Sequence, residues 1–272
     1  MISMSDEAGL FGPDSVSWQV HREVAVLFGG ARALLMQAAH PLVIAGARQT
    51  RLYERNPWKR LERTLALQYT ITFGTQAEAL AAAERINRVH RDVHGIDSVT
   101  GLPYDAMDPD LLLWVHACLV DSSLLFERLA VGRLDDEGRE RFHQEQMVGA
   151  ELLGLDRSRI PPTVVDLRGY VEAVAASDAL RVTPDALAVA DLIRHPPPEV
   201  PWRPVLRQVA WWAFSTLPPR LRERYGVRWS PVKELRLRGS LRTLRLLRPV
   251  IPYRFREILA AQTATRRIAQ AA

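Results

Sequence analysis

The sequence has little of what holds secreted and fibrous proteins together. Its 272 residues include one cysteine, Cys118, which cannot form an internal disulfide, and they contain no low-complexity linker or fixed-period repeat. Apolar residues make up 47% of the chain and charged residues 25%, as in an ordinary globular protein. Collagenous, disordered and disulfide-scaffold classes are therefore excluded, and a single thiol suits a reducing compartment.

Long uncharged hydrophobic runs and leader segments are also missing. A charge interrupts every apolar run well before the 18 residues or so that a membrane span needs. Acidic Asp6 and Glu7 stand where a secretory signal peptide carries basic residues, and no apolar stretch follows them. We therefore expect a cytoplasmic protein without a membrane span.

Lysine is scarce, and the basic side chains are unevenly placed. Only Lys59 and Lys233 among the 36 basic residues are lysine. Residues 201–272 carry sixteen basic and three acidic side chains, a net charge of +13, whereas residues 1–200 carry a net charge of −8. The basic region fits either an anionic membrane surface or, as the favoured interpretation, docking on the acidic remainder. No RNA-binding motif or zinc-finger spacing accompanies the charge, so we expect no nucleic-acid partner.

The two-residue alternation of a half-buried strand is absent, and apolar residues recur instead at helical steps of three and four. The sequence therefore predicts an all-α protein of ten or more helices in one compact domain over residues 1–272. The predicted helices are 15–37 with a break at Gly29-Gly30, Pro57–Phe73, a capping-box helix from Thr75 to Gly95, Asp110–Leu129, Asp135–Leu153, Thr163–Ala176, Thr183–Ile193, Pro204–Ser215, Pro218–Tyr225, Pro231–Leu247 and Arg254–Ile268.

His116 is the most informative histidine. Its neighbours on the helix face are Leu112, Leu119 and Val120, so the imidazole is predicted to be buried among aliphatic side chains. Burial favours the neutral imidazole, which is the form that binds a metal through a ring nitrogen. The pattern fits an axial ligand of haem iron. The alternative is an ordinary hydrogen-bonded core histidine.

Other metal-binding patterns are weaker. His90 and His94 have the i, i+4 spacing of two ligands on one helix face, but Arg91 stands where a zinc protease has glutamate. A Glu-x-x-His element occurs once, at Glu140 and His143, whereas a di-iron bundle needs two. No phosphate-binding glycine loop and no nucleophile elbow are present.

A basic stripe near the start of one predicted helix suits a carboxylate partner. Arg60 and Thr64 are at i and i+4, with Arg63 beside them. A guanidinium donates two parallel hydrogen bonds to a carboxylate such as a haem propionate, and a threonine hydroxyl can bond a ligand or a carbonyl of its own helix. Surface ion pairing is the alternative for Arg60.

Several segments, in this order and spacing, together resemble the catalytic domain of the MpaB and rubber-oxygenase (latex-clearing protein) family. The resemblance covers residues 12–229 and leaves a basic helical region over 230–272. The segments that carry it are Ala38-Ala39-His40-Pro41-Leu42-Val43, Arg60-Leu61-Glu62-Arg63-Thr64, His90-x-x-x-His94-Gly95, Asp108-Pro109-x-Leu111-Leu112-x-Trp114-Val115-His116, and Leu217-Pro218-x-x-Leu221-Arg222-x-x-Tyr225-Gly226 followed by Trp229.

The resemblance implies a globin-like helical fold that holds a b-type haem. It implies His116, followed by Ala117, as the proximal iron ligand, and it places Arg60 and Thr64 at the haem pocket. The rubber oxygenases have a lysine just before the threonine, which serves as a distal ligand in a closed state. This chain has Arg63 there, and a guanidinium stays protonated and does not bind iron.

We therefore expect a haem b-dependent oxidoreductase or oxygenase that acts on an apolar small molecule with O2. His116 is the expected iron ligand, Arg60, Arg63 and Thr64 are expected to contact the cofactor, and His40, Thr64 and His94 are the expected distal catalytic groups. The alternative is a haem- or lipophile-binding protein without turnover, whose basic C-terminal region lies on a membrane surface.

Overall fold

The computed structural model describes residues 6–49, 57–197, 199 and 202–271, and it describes the side chains of all of these except residues 6 and 57–64. The prediction of an all-α fold is confirmed, because the only sheet among the described residues pairs the short antiparallel strands His94–Ile96 (β1) and Pro103–Asp105 (β2). The α-helices in chain order are α1 Val16–His21, α2 Val24–Leu27, α3 Gly29–Ala38, α4 Pro41–Gln49, α5 Pro57–Phe73, α6 Gln76–Arg91, α7 Pro109–Phe126, α8 Asp136–Leu152, α9 Val164–Ala176, α10 Pro184–Arg194, α11 Arg203–Ser215, α12 Pro219–Arg224, α13 Pro231–Leu247, α14 Tyr253–Arg256 and α15 Leu259–Ala271.

Helix starts follow the local chemistry of the sequence. The capping box at the start of α6 is present: Thr75 Oγ1 accepts from the Glu78 amide at 3.2 Å, and Glu78 Oε2 accepts from the Thr75 amide at 2.8 Å. Asp108 caps α7, where Pro109 occupies the first turn. These side chains satisfy amides that have no partner within the helix, so the start of each helix is set by adjacent residues.

Helix α7 is the central element of the core, and a π-helical turn, Glu127–Val131, continues it. Trp114 and Phe126 on α7 are fully buried, and α3 packs along the same helix. A Cβ atom at Gly29 would lie 2.8 Å from the Ser122 carbonyl oxygen, which is too close for a side-chain carbon. The start of α3 can therefore lie this near to α7 only because the residue there is glycine.

Some predicted helices are broken where distant parts of the chain meet. The first predicted helix is interrupted at Arg22-Glu23 as well as near Gly29, because the backbone of Glu23 forms a β-bridge with Glu257. The same contact divides the predicted last helix into α14 and α15. Neither break has a proline or glycine signal in the sequence.

The prediction that His90 and His94 share a helix face is wrong. Helix α6 ends at Arg91 with Asp92 as its C-cap, and His94 begins β1. The chain leaves the helix early because Val93 accepts a hydrogen bond from the Ala106 amide at 2.9 Å and the β1–β2 pairing follows. Three-residue strands are too short to show an alternating pattern, which is why no hairpin was predicted.

The basic C-terminal region docks on the domain. Arg248, 8% exposed, donates hydrogen bonds through Nε and Nη2 to the carboxylate of Glu23, which is 2% exposed. Arg22 pairs with Glu257 at 3.4 Å, and Arg267 pairs with Glu7 at 3.1 Å. Glu7 and Glu23, near the N-terminus, therefore hold Arg267 and Arg248 of the basic region, and Arg22 holds its Glu257.

One described helix, Pro109–Val131 with its π-turn, is long and apolar enough to cross a membrane by length and composition, although Asp121 interrupts its apolar run. About half of that segment, 56%, is buried inside the protein, and core helices of soluble proteins pass the same test. The segments Val24–Ala38 and Pro41–Gln49 are long and apolar enough to cross a membrane only if they are counted together as one span. The two segments meet at an angle of 103°.

Candidate functional site

A largely apolar cavity of about 160 Å³ lies beside α7, between α1, α5, α6 and α8. We call it the histidine cavity, because three of its wall residues are His21, His90 and His116. Its described lining includes no Asp, Glu, Lys or Arg. The remaining lining residues are Val26, Leu27, Gly30, Leu65, Gln68, Tyr69, Ile71, Leu112, Val115, Leu119, Val120, Ser123, Gln146, Gly149, Ala150, Leu153 and Leu155.

His116 projects from α7 into this cavity. Its Nε2 atom is buried and has no hydrogen-bond partner. Burial, with a smaller contribution from His143, lowers the pKa of His116 to about 4. The imidazole is therefore neutral at physiological pH, and a buried polar atom without a partner is costly unless a ligand satisfies it.

His21 supplies a second neutral imidazole from α1. Burial lowers its pKa to about 4. The Thr72 hydroxyl donates to the Gln68 carbonyl at 3.0 Å, so its oxygen accepts from His21 Nδ1 at 3.4 Å. Because Nδ1 then carries the proton, the Nε2 atom of neutral His21 is left with a free lone pair.

Two further polar groups in the cavity lack a partner. Burial lowers the pKa of His90, whose Nδ1 has no hydrogen bond. Burial also raises the pKa of Tyr69 to about 12, and its hydroxyl has no hydrogen bond either. The cavity thus contains both a protonated donor and neutral ring nitrogens.

Only some of the sequence-predicted site residues meet at this cavity. His116 lines it, but His40 and His94 do not. His94 is exposed on β1, and His40 is half-buried, with a pKa that burial lowers and nearby Asp108 raises in part. Arg60, Arg63 and Thr64 lie on the first turns of α5, outside the residues whose side chains are described. The same helix places Leu65, Gln68 and Tyr69 on the cavity wall.

Sequence reasoning missed His21, Tyr69 and the glycines of the cavity. A Cβ atom added at Gly30 or Gly149 would meet nothing within 4 Å, so both positions face open space. No spacing rule connects His21 with His116, since they are far apart in the chain and meet only through tertiary packing. The apolar neighbours of His21 were the one available signal.

The donor atoms of the cavity suit a haem, but its volume is too small to hold one. A neutral, partnerless imidazole nitrogen and two open glycine positions suit an axially bound porphyrin. The volume of about 160 Å³ is below the 300–1,000 Å³ or so of small-molecule sites, so a macrocycle requires the helices to move apart. Among the described residues, no group of three His, Cys, Asp or Glu side chains could hold a metal ion.

Comparison with known proteins gives a family and distant relatives. Two uncharacterized proteins, from Mycobacterium bovis and Mycobacterium tuberculosis, are each 27% identical over 239 residues, which cover 82% of this chain and 89% of each relative. No solved structure matches the chain. The model of the family described as "ER-bound oxygenase mpaB/B'/Rubber oxygenase, catalytic domain" matches residues 18–246 and so includes every residue that lines the histidine cavity. The chain therefore belongs to the MpaB and rubber-oxygenase catalytic-domain family.

Proposed function

We propose that the protein is a haem b-dependent oxygenase that acts on an apolar small molecule, and that His116 would hold the haem iron. The observation that carries this proposal is the buried, partnerless Nε2 atom of His116, which opens into an apolar cavity of a chain from an oxygenase family. Its neutral state at physiological pH means that no proton has to leave before the nitrogen binds a metal.

A bound haem would supply the redox chemistry with O2, and the protein would supply position, dryness and proton control. Helix α7 holds His116 in place because Trp114 and Ala117, close to it in sequence, are fully buried. Leu112, Leu119 and Val120 line the same cavity as His116 and give its wall a hydrocarbon surface.

The distal role belongs in this proposal to residues that line the cavity. Tyr69 keeps its proton far above neutral pH and can donate a hydrogen bond to an oxygen atom or a substrate. Neutral His21 and His90 can accept one. These three take the place of His40 and His94, which lie elsewhere. Arg60, Arg63 and Thr64 remain proposed contacts of the haem propionates.

An apolar substrate follows from the wall of the cavity. Its described lining has no charged side chain, and aliphatic residues, most of them from four helices, dominate it. A charged substrate would lose its hydration there without a compensating ion pair, which is expensive. A hydrocarbon body loses nothing on entering and gains the free energy of burial.

The test is the visible spectrum of protein expressed with a haem precursor. We expect a Soret band in the wild type, its loss in His116→Ala, and its partial recovery when imidazole is added to that variant, because free imidazole can occupy the space of the missing ring. His94→Ala, at an exposed position, is the matched control and should keep the band. An unchanged band in His116→Ala, with loss in His21→Ala or His90→Ala, would show that the ligand is misassigned.

A second function, a haem- or lipophile-binding protein on a membrane surface without turnover, is favoured by one feature of the C-terminal region. Large apolar side chains are exposed there beside arginines, with Val250 at 75%, Phe255 at 59% and Leu259 at 73% exposure. Such a surface can enter the interface of an anionic bilayer. The cytoplasmic location expected from the sequence would place it against the anionic leaflet.

Two measurements separate the functions. Binding to vesicles that contain phosphatidylserine, lost at high salt or in Phe255→Ser, supports the membrane surface. Oxygen uptake by the haem-loaded protein when a panel of apolar compounds is added supports the oxygenase. Uptake that is absent for every compound, together with vesicle binding, would favour the second function over the first.

A further inference from the structure

A second and larger cavity lies on the opposite side of α7. Its volume is about 600 Å³, and it shares no lining residue with the histidine cavity. Asp121 and Leu125 face it from α7, whereas His116 and Ser123 face the histidine cavity. Residues two apart on a helix point about 200° apart, which explains how one helix forms a wall of both.

Besides buried Arg32, three arginines line this second cavity, which we call the arginine pocket: Arg128, Arg168 and Arg220. All three are exposed, and none has an ion pair or hydrogen bond with a described residue. They come from three separate elements, the π-turn, α9 and α12. Partial burial and then the nearby guanidiniums of Arg168 and Arg139 lower the pKa of Arg128. The fold therefore brings like charges together without bringing a partner for them.

The carboxylates of the pocket offset only part of this charge, since Asp121 raises the pKa of Arg128 less than burial and the neighbouring guanidiniums lower it. Asp121 is taken by buried Arg32, whose Nη1 lies 2.8 Å from its Oδ2. Arg32 also donates to Ser122 Oγ at 2.7 Å and to the Thr216 carbonyl at 3.0 Å, so it ties α3, α7 and the turn before α12 into a fixed floor. Glu172 alone remains against three guanidiniums.

Apart from Thr216, the rest of the lining is apolar. Leu125, Val171, Ala175 and Leu217 form a hydrocarbon surface beneath the arginines, and Pro218 borders it. A volume of about 600 Å³ lies within the usual range for small-molecule sites of roughly 300–1,000 Å³. Apolar floor and cationic rim together match a ligand with a hydrocarbon body and one anionic end.

We propose that the arginine pocket binds an amphipathic organic anion, with its carboxylate or phosphate group at Arg128, Arg168 and Arg220 and its hydrocarbon body on the apolar floor. The site is independent of the proposed haem site, because the two cavities share no residue. The chain would then have two small-molecule sites: the arginine pocket, selective for anions, and the histidine cavity, whose described lining is uncharged.

The experiment is calorimetric titration of the full chain with decanoate, decyl phosphate, decanol and inorganic phosphate. We expect both amphipathic anions to bind, with an affinity that falls as salt rises. Decanol and inorganic phosphate should each bind at least about tenfold more weakly, since each lacks one of the two contacts. The tighter of the two anions identifies the preferred head group. Equal affinity for decanol and decanoate, or no binding of either anion, would overturn the proposal.

Variants test whether the arginines are the contact. Arg168→Gln and Arg220→Gln should each weaken decanoate binding by roughly three- to tenfold, and both should fold, because neither side chain has a described partner. Arg141→Gln, at an exposed position of α8 outside the pocket, is the matched control. His116→Ala should bind decanoate like the wild type, which separates this site from the haem proposal. Equal losses in Arg141→Gln and Arg168→Gln would refute a specific site.

Discussion

Two buried imidazoles, His21 and His116, make the folded protein sensitive to acid. Both have a pKa of about 4 in the folded chain, against about 6.5 when unfolded. The unfolded state therefore binds more protons between these two values, so the free energy of unfolding falls as the pH drops from 6.5 to 4. Over this pH range each histidine lowers the free energy of unfolding by at most about 3 kcal/mol. Below pH 4 these two groups add no further slope.

The measurement is the urea midpoint of unfolding as a function of pH. We expect His21→Gln to lose less stability than the wild type between pH 6.5 and 4, because one of the two titrating rings is gone. His94→Gln, on the exposed strand β1, should follow the wild-type curve. A His21→Gln curve parallel to the wild type would mean that this ring is not held neutral by the fold.

Adjacent glycines at the start of α3 should respond to alanine in opposite ways. A Cβ atom at Gly29 would press on the Ser122 carbonyl oxygen at 2.8 Å, so Gly29→Ala should destabilise the protein by about 1–3 kcal/mol. Gly30 has open space, so Gly30→Ala should stabilise it by up to about 1 kcal/mol. Thermal unfolding of the two variants measures both changes, and a loss of stability in Gly30→Ala would contradict the open cavity wall.

Residues of the site divide into those that local sequence predicts and those that only the fold brings in. His116 was predicted to be buried because its own helix supplies the apolar neighbours. His21 and Tyr69 reach the cavity from α1 and α5, and no pattern within either segment indicates which way the helix faces. His94 shows the opposite case, since its spacing to His90 was suggestive and the helix ends before it.

At the scale of elements, the contact between Glu23 and Arg248 joins the end of α13 to the segment between α1 and α2. Both side chains are buried, so removing Glu23 leaves Arg248 without its carboxylate, and removing Arg248 leaves Glu23 only the half-exposed Arg133, at 3.6 Å. We expect Glu23→Gln and Arg248→Met each to cost about 3–5 kcal/mol in free energy of unfolding, and the double variant to cost much less than their sum.

Urea unfolding of the wild type, the two single variants and the double variant measures this coupling. Arg238→Met, which removes an exposed pair with Glu234 on α13, is the control and should cost less than about 1 kcal/mol. A double variant whose loss equals the sum of the single losses would show that the two side chains do not act as a pair.

Elements with their own start and stop signals were predicted well. Helix α13 runs over Pro231–Leu247, as Ser230, Pro231 and the apolar period indicate, and α9 and α10 begin at their threonine caps. The interruption at Glu23 was not predicted, because its cause is Glu257, more than two hundred residues away. The helix propensity of neighbouring residues carries no information about a backbone contact between residues so far apart in the sequence.

For the whole molecule, the opposite charges of the two regions should make stability depend on salt. Residues 1–200 carry −8 and residues 201–272 carry +13, and exposed pairs such as Arg267 with Glu7 join them. Raising KCl from about 0.02 to 0.5 M should lower the free energy of unfolding by about 1 kcal/mol, because exposed charges are screened. Urea midpoints measured across this range test it, and a midpoint that rises with KCl would contradict attraction between the regions.

The bond between Glu23 and Arg248 spans 225 residues, and it sets an order of events during synthesis. At about 5–20 residues per second, a ribosome needs roughly 10–50 s to add the arginine after the glutamate has emerged. Throughout that interval the carboxylate has at most the half-exposed Arg133 as a cationic partner, so water supplies its remaining hydrogen bonds. The segment around Glu23 thus reaches its final, water-free packing late, when nearly the whole polypeptide is available.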